Sequence, residues 1–306
     1  MPGDNPFSGQ ANSEFHRWYA YGIRNSFGLA FDPVTDSLWD TENGPGSYDE
    51  VNLVAPGFNS GWSDLMGPDA RDPQGTSGLV NLAPGGALTY SDPEFSWVNT
   101  VAPTAIHFLH GSALGAAYDD KVLVTDNNTS QIYMFTLNAA RDAFVLGGGL
   151  ADLVADDATE RDQVRVGSGF GVATDFVRGP DGYIYAVSLV TGKVFRIFQA
   201  TGDFNNNGMV DAADYTVWRD TLGQTTDPMG TTFLAADHSG PTPGVPNGVV
   251  DPFDYEYWKA HFGQIAGGGA GASAGSSTAP IPEPATLLML LFGMSTIFFR
   301  RRAEMS

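Results

Sequence analysis

Three times between residues 15 and 198 the chain repeats one figure: strand, turn, strand, turn, strand. The first unit runs through Gly28-Leu29-Ala30-Phe31-Asp32-Pro33, Ser37-Leu38-Trp39-Asp40-Thr41 and Glu50-Val51-Asn52-Leu53-Val54. The second runs through Thr104-Ala105-Ile106-His107-Phe108, Lys121-Val122-Leu123-Val124-Thr125 and Gln131-Ile132-Tyr133-Met134-Phe135. The third runs through Thr174-Asp175-Phe176-Val177, Tyr183-Ile184-Tyr185-Ala186-Val187 and Lys193-Val194-Phe195-Arg196-Ile197. Apolar residues alternate within the strands, and turn residues such as Pro180-Asp181-Gly182 separate them. Units of about 70 residues made of antiparallel strands read as β-propeller blades with long insertions. The expected fold class is therefore an all-β, partial propeller of about three blades over residues 1–200. The 38 glycines and 19 prolines supply its many turns.

Three blades do not close a ring. Met1-Pro2-Gly3-Asp4-Asn5-Pro6 also has neither a basic n-region nor an apolar h-region. The expectation from both is a C-terminal part of a longer exported protein. Acidic residues number 35 against 15 basic ones, for a net charge of −20. Such a surface repels phosphate, which excludes a nucleic-acid partner. It suits a soluble protein or a calcium-binding one. The absence of cysteine excludes disulfides and thiolate metal sites.

Residues 201–265 contain a different repeat. Asp211-Ala212-Ala213-Asp214-Tyr215-Thr216-Val217-Trp218 matches Asp251-Pro252-Phe253-Asp254-Tyr255-Glu256-Tyr257-Trp258 at an offset of 40. Tyr215, Trp218 and Leu222 share one helical face, and Gly223 and Gly263 are placed to stop the helices. Ahead of the first helix, Asp203, Asn205, Asn207, Asp211 and Asp214 fall at positions 1, 3, 5, 9 and 12 of an EF-hand-type loop. Gly208 turns the loop and Met209 offers its carbonyl, which together give the oxygen set that calcium requires. A second set is Asp237, Ser239, Asn247, the Val249 carbonyl, Asp251 and Asp254, with Gly240 to Pro246 inserted. An Asn/Asp/Gly turn with an Asp N-cap would leave the same residues. The pair resembles a type I dockerin, a small α-helical calcium domain that docks onto a cohesin. At loop positions 10 and 11, where that family commonly presents hydroxyls, this chain has Ala212-Ala213 and Pro252-Phe253. A calcium-stabilised spacer is thus as fair a reading as a cohesin-binding module.

Ala20-Tyr21-Gly22-Ile23-Arg24-Asn25-Ser26-Phe27-Gly28-Leu29-Ala30-Phe31-Asp32 resembles the glucose/sorbosone dehydrogenase family. The resemblance continues through Asp40-Thr41-Glu42-Asn43-Gly44-Pro45, Asp49-Glu50-Val51-Asn52, Asn59-Ser60-Gly61-Trp62 and Val101-Ala102-Pro103-Thr104. It ends with Gly169-Phe170-Gly171 and Gly179-Pro180-Asp181-Gly182-Tyr183. It implies a six-bladed propeller using pyrroloquinoline quinone (PQQ) to oxidise an aldose or similar polyol. It also implies Arg24 against the quinone oxygens, Asn25 bonded to the cofactor, and Gly44 and Pro45 carbonyls on a bridging calcium. The family's base is a His on a blade upstream of this chain. His107, between Ile106 and Phe108, reads as structural. Lys121 is the only Lys or Arg between Thr104 and Leu137, and Asp126-Asn127-Asn128 stands where a cofactor-binding cation would be expected. We therefore expect no sugar turnover by this chain alone. The alternative is a non-enzymatic surface protein that binds partners or carbohydrate.

After a Gly/Ala/Ser linker at 266–279, residues 280–306 order three signals: Pro282-Glu283-Pro284, an apolar run from Ala285 to Phe299, and Arg300-Arg301-Arg302. As a helix the 15-residue run spans roughly 22 Å, short of a hydrocarbon core of about 30 Å. The three arginines would stay on the cytoplasmic side. The block resembles the PEP-CTERM sorting signal, which implies recognition by an exosortase. It implies passage through the inner membrane, with 285–299 as a membrane helix, to the cell surface or extracellular matrix.

Overall fold

The computed structural model describes residues 5–82, 89–111, 114–180, 182–198, 200–226 and 232–265. The chain divides into Met1–Gly269 and Ala270–Ser306, and the description concerns the first. The expected linker, Pro-Glu-Pro motif, membrane helix and arginine cluster lie outside the described residues. So does Asp181 of the Pro180-Asp181-Gly182 turn. Among the described residues no helix is long and apolar enough to cross a membrane.

Each of the three sequence units forms its own antiparallel meander. The first comprises β1 (Ser26–Phe31), β2 (Leu38–Glu42) and β3 (Asp49–Val54), extended by β4 (Phe95–Trp97). The second comprises β5 (Pro103–Leu109), β6 (Lys121–Asp126) and β7 (Gln131–Thr136). Then β8 (Val154–Ala155) returns to pair in parallel with β4, and β9 (Arg165–Ser168) adds to β7. A four-residue helix, α1 (Ala158–Arg161), lies between these two. The third sheet is β10 (Ala173–Arg178), β11 (Ile184–Ser188) and β12 (Lys193–Ile197). The sheets thus hold five, four and three strands. β4, β8 and β9, of three, two and four residues, were not expected from the sequence. Strands that short show no readable period.

The leading strands β1, β5 and β10 stand side by side, with β5 in the middle. Close approach is built in. A Cβ on Gly28 would lie 2.6 Å from the Thr104 carbonyl, so only glycine lets β1 meet β5. The Thr104 and Thr125 hydroxyls donate to the Ala173 carbonyl at 2.6 and 2.8 Å, tying β5 and β6 to β10. All three leading strands carry a register shift near their first residues, at Ser26/Gly28, Pro103/Ile106 and Ala173/Asp175.

Packing follows from alternation. Trp39, Val51, Phe95 and Trp97 of the first sheet meet Phe108, Val122, Val124, Tyr133 and Phe135 of the second. Leu123 and Ile132, on the other face of the second sheet, meet Phe176, Ile184 and Ala186 of the third. The run Val122-Leu123-Val124 is apolar throughout because β6 is buried on both faces. Asp32, at the end of β1, receives two bonds from Arg141, at 2.6 and 2.8 Å. Both residues are buried. Burial alone would raise the Asp32 pKa, but the Arg141 bonds and charge bring it below the ordinary value.

Beyond β12 the chain forms α2 (Ala212–Thr221) and α3 (Pro252–His261). Each starts with a capping box, Asp211 with Asp214 and Asp251 with Asp254. Gly223 and Gly263 follow the helix ends at φ +83° and +85°. The halves interlock reciprocally. Trp218 Nε1 donates to the Asp251 carbonyl at 2.8 Å, and Trp258 Nε1 to the Asp211 carbonyl at 2.9 Å. Met209 bridges Ile265, and Thr225 bridges Val249.

Candidate functional site

Arg24 precedes β1, and Gly44-Pro45 follows β2, so antiparallel pairing brings them to one rim. The Arg24 backbone N–H donates to Glu42 Oε1. Its Nη1 donates to the Asn43 carbonyl at 2.6 Å and the Gly44 carbonyl at 3.0 Å. The guanidinium also lies 5.3 Å from the centre of the Trp62 ring. Gly44 cannot carry a side chain, since a Cβ there would sit 2.2 Å from the Ser47 carbonyl oxygen. Asp49 Oδ1 takes the Gly44 N–H at 2.8 Å, while Oδ2 takes the Val101 and Ala102 N–H groups, both at 2.6 Å. One carboxylate thereby locks the Gly44 turn to the approach of β5. Asn25 and Pro45 are exposed beside this arrangement.

Beneath Arg24 lies a layer of buried carboxylates: Asp40, Glu42, Asp49 and Glu50. Ser60 Oγ donates to Glu42 Oε2 at 2.6 Å, and Asn52 Nδ2 to Asp40 Oδ1 at 3.2 Å. Burial raises the pKa of Glu42 and Asp49, partly opposed by these bonds and by Arg24. Burial, reinforced by the Glu42 charge, pushes Asp40 to about 7 and Glu50 to about 8. These acids stand in the motifs Asp40-Thr41-Glu42-Asn43 and Asp49-Glu50-Val51-Asn52, where sequence alone gives them no role. The available signal was Asp40 and Glu42 at alternate positions of β2, with Glu50 opposite Glu42, on a face where apolar residues would ordinarily stand.

Ile23 and Trp62, the neighbour and the stacking partner of Arg24, line a pocket of about 500 Å³. Trp18, Tyr21, Asn59 and Leu82 also line it. His107 is not part of the rim. It is half-buried, its ring lies 6.2 Å from that of Phe176, and burial lowers its pKa. Lys121 pairs with Leu109, at the far end of β5, and donates to Thr136 Oγ1 at 2.7 Å. Asp126 does reach the rim, opposite Pro103, and the Asn127 and Asn128 N–H groups bond the Ala102 and Val101 carbonyls at 2.9 and 3.0 Å.

The two loops of the helical segment share one wiring. Asp203 takes the N–H groups of Asn207 and Gly208 at 3.1 and 2.8 Å, and Asp237 takes those of Asn247 and Gly248 at 3.0 and 2.8 Å. Asp214 Oδ1 takes Phe204 and Asn205, and Asp254 Oδ1 takes His238 and Ser239. Asn205 takes the Asn207 N–H, Asn207 takes that of Met209, and Asn247 takes that of Val249. Burial first, then the neighbouring Asp203 charge, raises Asp214; burial and Asp237 push Asp254 to about 6. Among the described residues, no group of three or more His, Cys, Asp and Glu is arranged to hold a metal ion. Any cation here would also draw on Asn side chains and the Met209 and Val249 carbonyls.

The family model for glucose / sorbosone dehydrogenase matches residues 1–196. The chain belongs to the glucose/sorbosone dehydrogenase family. The model of the PEP-CTERM protein-sorting motif matches residues 280–302, so this family member carries a signal for sorting at a membrane. It is 26% identical over 190 residues to an aldose sugar dehydrogenase of Escherichia coli, covering 61% of this chain and 45% of that protein. It is 42% identical over 67 residues to quinoprotein glucose dehydrogenase B of Acinetobacter calcoaceticus, covering 22% of this chain and 13% of the other. The soluble aldose sugar dehydrogenase of Escherichia coli, solved in its apo form, aligns with a TM-score of 0.42 at 26% identity. That alignment covers 61% of this chain and 47% of the solved one. The chain thus spans just under half the length of the Escherichia coli relative.

Proposed function

We propose that residues 1–200 supply one edge of a PQQ-dependent aldose dehydrogenase site. The observation that carries this reading is the Arg24 guanidinium, held by the Asn43 and Gly44 carbonyls above the buried acids. Those carbonyls already converge on a cation. Asn43 Oδ1 is buried and has no hydrogen-bond partner among the described residues. Carbonyl oxygens and a fixed positive charge suit both a hard cation and an anionic quinone, so the residues fit this edge of the cofactor. When bound, PQQ would supply the acceptor for a hydride from the sugar carbon. Arg24 would stabilise negative charge on its oxygens, Asn25 would donate a hydrogen bond, and Gly44 and Pro45 would face the calcium. Glu42 and Asp49 hold these groups in place. Trp62 offers the sugar a flat apolar face. The test is titration of the full chain with PQQ and calcium, read by tryptophan fluorescence. Saturable binding that weakens at least tenfold in Arg24→Ala is expected, since a bond to a charged group contributes about 1.5–3 kcal/mol. Equal binding by both proteins would overturn the reading.

The aromatic lining of the pocket favours a second reading, in which this chain binds carbohydrate without oxidising it. Saturable sugar binding that persists in Arg24→Ala, with no dye reduction when PQQ is added, would select that alternative.

The wiring of the two loops supports a dockerin-like calcium module at 201–265, placed before the sorting tail. The donors are Asp203, Asn205, Asn207, Met209, Asp211 and Asp214, and then Asp237, Ser239, Asn247, Val249, Asp251 and Asp254. A cohesin-type partner is the corresponding proposal, with a calcium-stiffened spacer as the alternative. A pull-down with a cohesin domain in calcium and in chelator separates the two.

A further inference from the structure

The third sheet ends differently from its neighbours. The first and second sheets continue past their third strands, into β4 and β9, whereas the third stops at β12. The helical segment packs there instead. The Arg196 guanidinium of β12 lies 3.2 Å from the centre of the Phe233 ring, 4.8 Å from that of Tyr183 and 5.6 Å from that of Phe198. Ring faces attract a guanidinium, and more strongly where water is excluded. Phe198 lies 5.4 Å from the His238 ring, which lies 4.9 Å from that of Phe204. Phe204 and His238 are equivalent, each following the first aspartate of its loop, and both are buried. Their N–H groups are held by Asp214 and Asp254. Nearer β11, the buried Tyr183 donates its hydroxyl to Asn206 Oδ1, between the loop residues Asn205 and Asn207. Asn206 sits there at φ +57°, a backbone state that asparagine tolerates better than most residues. Tyr257 of α3 adds a further contact by donating to the Ala200 carbonyl at 3.0 Å.

We propose that the helical segment is the lock of the third sheet, and that a cation bound in its loops tightens that lock. The lock needs only the contacts above, while its tightening rests on the calcium reading of 201–265. Asn205 and Asn207, donors of the first loop, flank Asn206. A cation that fixes them also fixes the acceptor of the Tyr183 hydroxyl, and Tyr183 leads directly into β11. Asp254, a donor of the second loop, holds the His238 N–H, and the His238 ring meets Phe198, the residue next after β12. The two loops thus address one sheet by separate routes. Whatever binds only the ordered state lowers the population of local openings. β10–β12 therefore answers to calcium although every donor lies outside it.

Amide hydrogen exchange of the full-length chain, in detergent, reads both effects. Tyr183→Phe removes only the hydroxyl bond to Asn206, and Phe233→Ser removes the ring nearest Arg196. Phe233 is 47% exposed, so its loss leaves the sheet cores filled. Without calcium, the double variant is expected to exchange β11 and β12 amides about tenfold faster than the wild type, with β5–β7 unchanged. Calcium, its binding followed by calorimetry, is expected to slow β11 and β12 about tenfold in the wild type and clearly less in the double variant. Unaltered β11 and β12 exchange in the calcium-free double variant would overturn the lock. Calcium that binds and slows exchange at 203–221, yet leaves β11 and β12 as they were, refutes the tightening alone. No heat of calcium binding defeats the calcium reading of the loops, and the tightening with it, but leaves the lock standing.

Discussion

At the scale of single residues, the same chemistry takes opposite roles according to what stands opposite it. Asp49 and Asp32 are both buried acids. Asp49 answers three backbone N–H groups and fixes the Gly44 turn. Asp32 answers Arg141 and fixes the β1–β2 turn to the segment after β7. Removing Arg141 leaves an uncompensated buried charge, so Arg141→Ala is expected to cost about 3–5 kcal/mol. Urea denaturation reads this directly. In the Asp32→Asn background the same change should cost clearly less, and equal costs in both backgrounds would refute the coupling. Arg24 and the Gly44 turn stood out in the sequence because each lies in a motif of consecutive residues, Ala20 to Asp32 and Asp40 to Pro45. Trp62 and Glu42 acquire their relation to Arg24 only when two loops and a strand end converge. Sequence spacing has no expression for that.

At the scale of elements, the helical pair was the most legible part of the chain. The offset of 40 in sequence reappears as interchangeable bonds, Trp218 to Asp251 and Trp258 to Asp211. The insertion Gly240 to Pro246 leaves the wiring intact, since Asp237 still reaches Asn247 and Gly248. Neither loop brings a Lys or Arg of its own to its three aspartates. Calcium would relieve their mutual repulsion. Adding chelator to the full chain is therefore expected to reduce helical circular dichroism, and Asp203→Ala should do the same in calcium. Identical spectra with and without chelator would exclude calcium-dependent folding. The strands were less fully legible. β1 to β3, β5 to β7 and β10 to β12 stood out by alternation and turn residues. β8 pairs with β4 from more than fifty residues away and over two residues only. A contact so distant and so brief has no local signature.

At the scale of the whole molecule, the buried acids set a pH dependence. Burial is the largest cause raising Asp40 to about 7 and Glu50 to about 8. Unfolded, these groups titrate near 4. Between about pH 4 and 8 the folded chain therefore holds more protons, and its stability falls as pH rises. Melting temperature is expected to drop from pH 5 to pH 8, with Glu50→Gln flattening the slope. A melting temperature that rose over that interval would contradict this assignment. The sorting signal at 280–302 leads to a separate expectation, cleavage near Pro282-Glu283-Pro284. Mass spectrometry of the C-terminus of surface protein reads it, and retention of Arg300 to Ser306 would mean an ordinary anchor. For protein engineering, the three register shifts make the two rims unequal. At the rim away from Arg24 the hairpins end in regular pairs, Phe31 with Leu38, Leu109 with Lys121 and Arg178 with Ile184. An insertion beyond those last pairs, clear of Asp32, leaves unchanged which strand side chains face the core. At the Arg24 rim an added residue falls beside an existing bulge and turns the following side chains over, so grafts belong on the opposite rim.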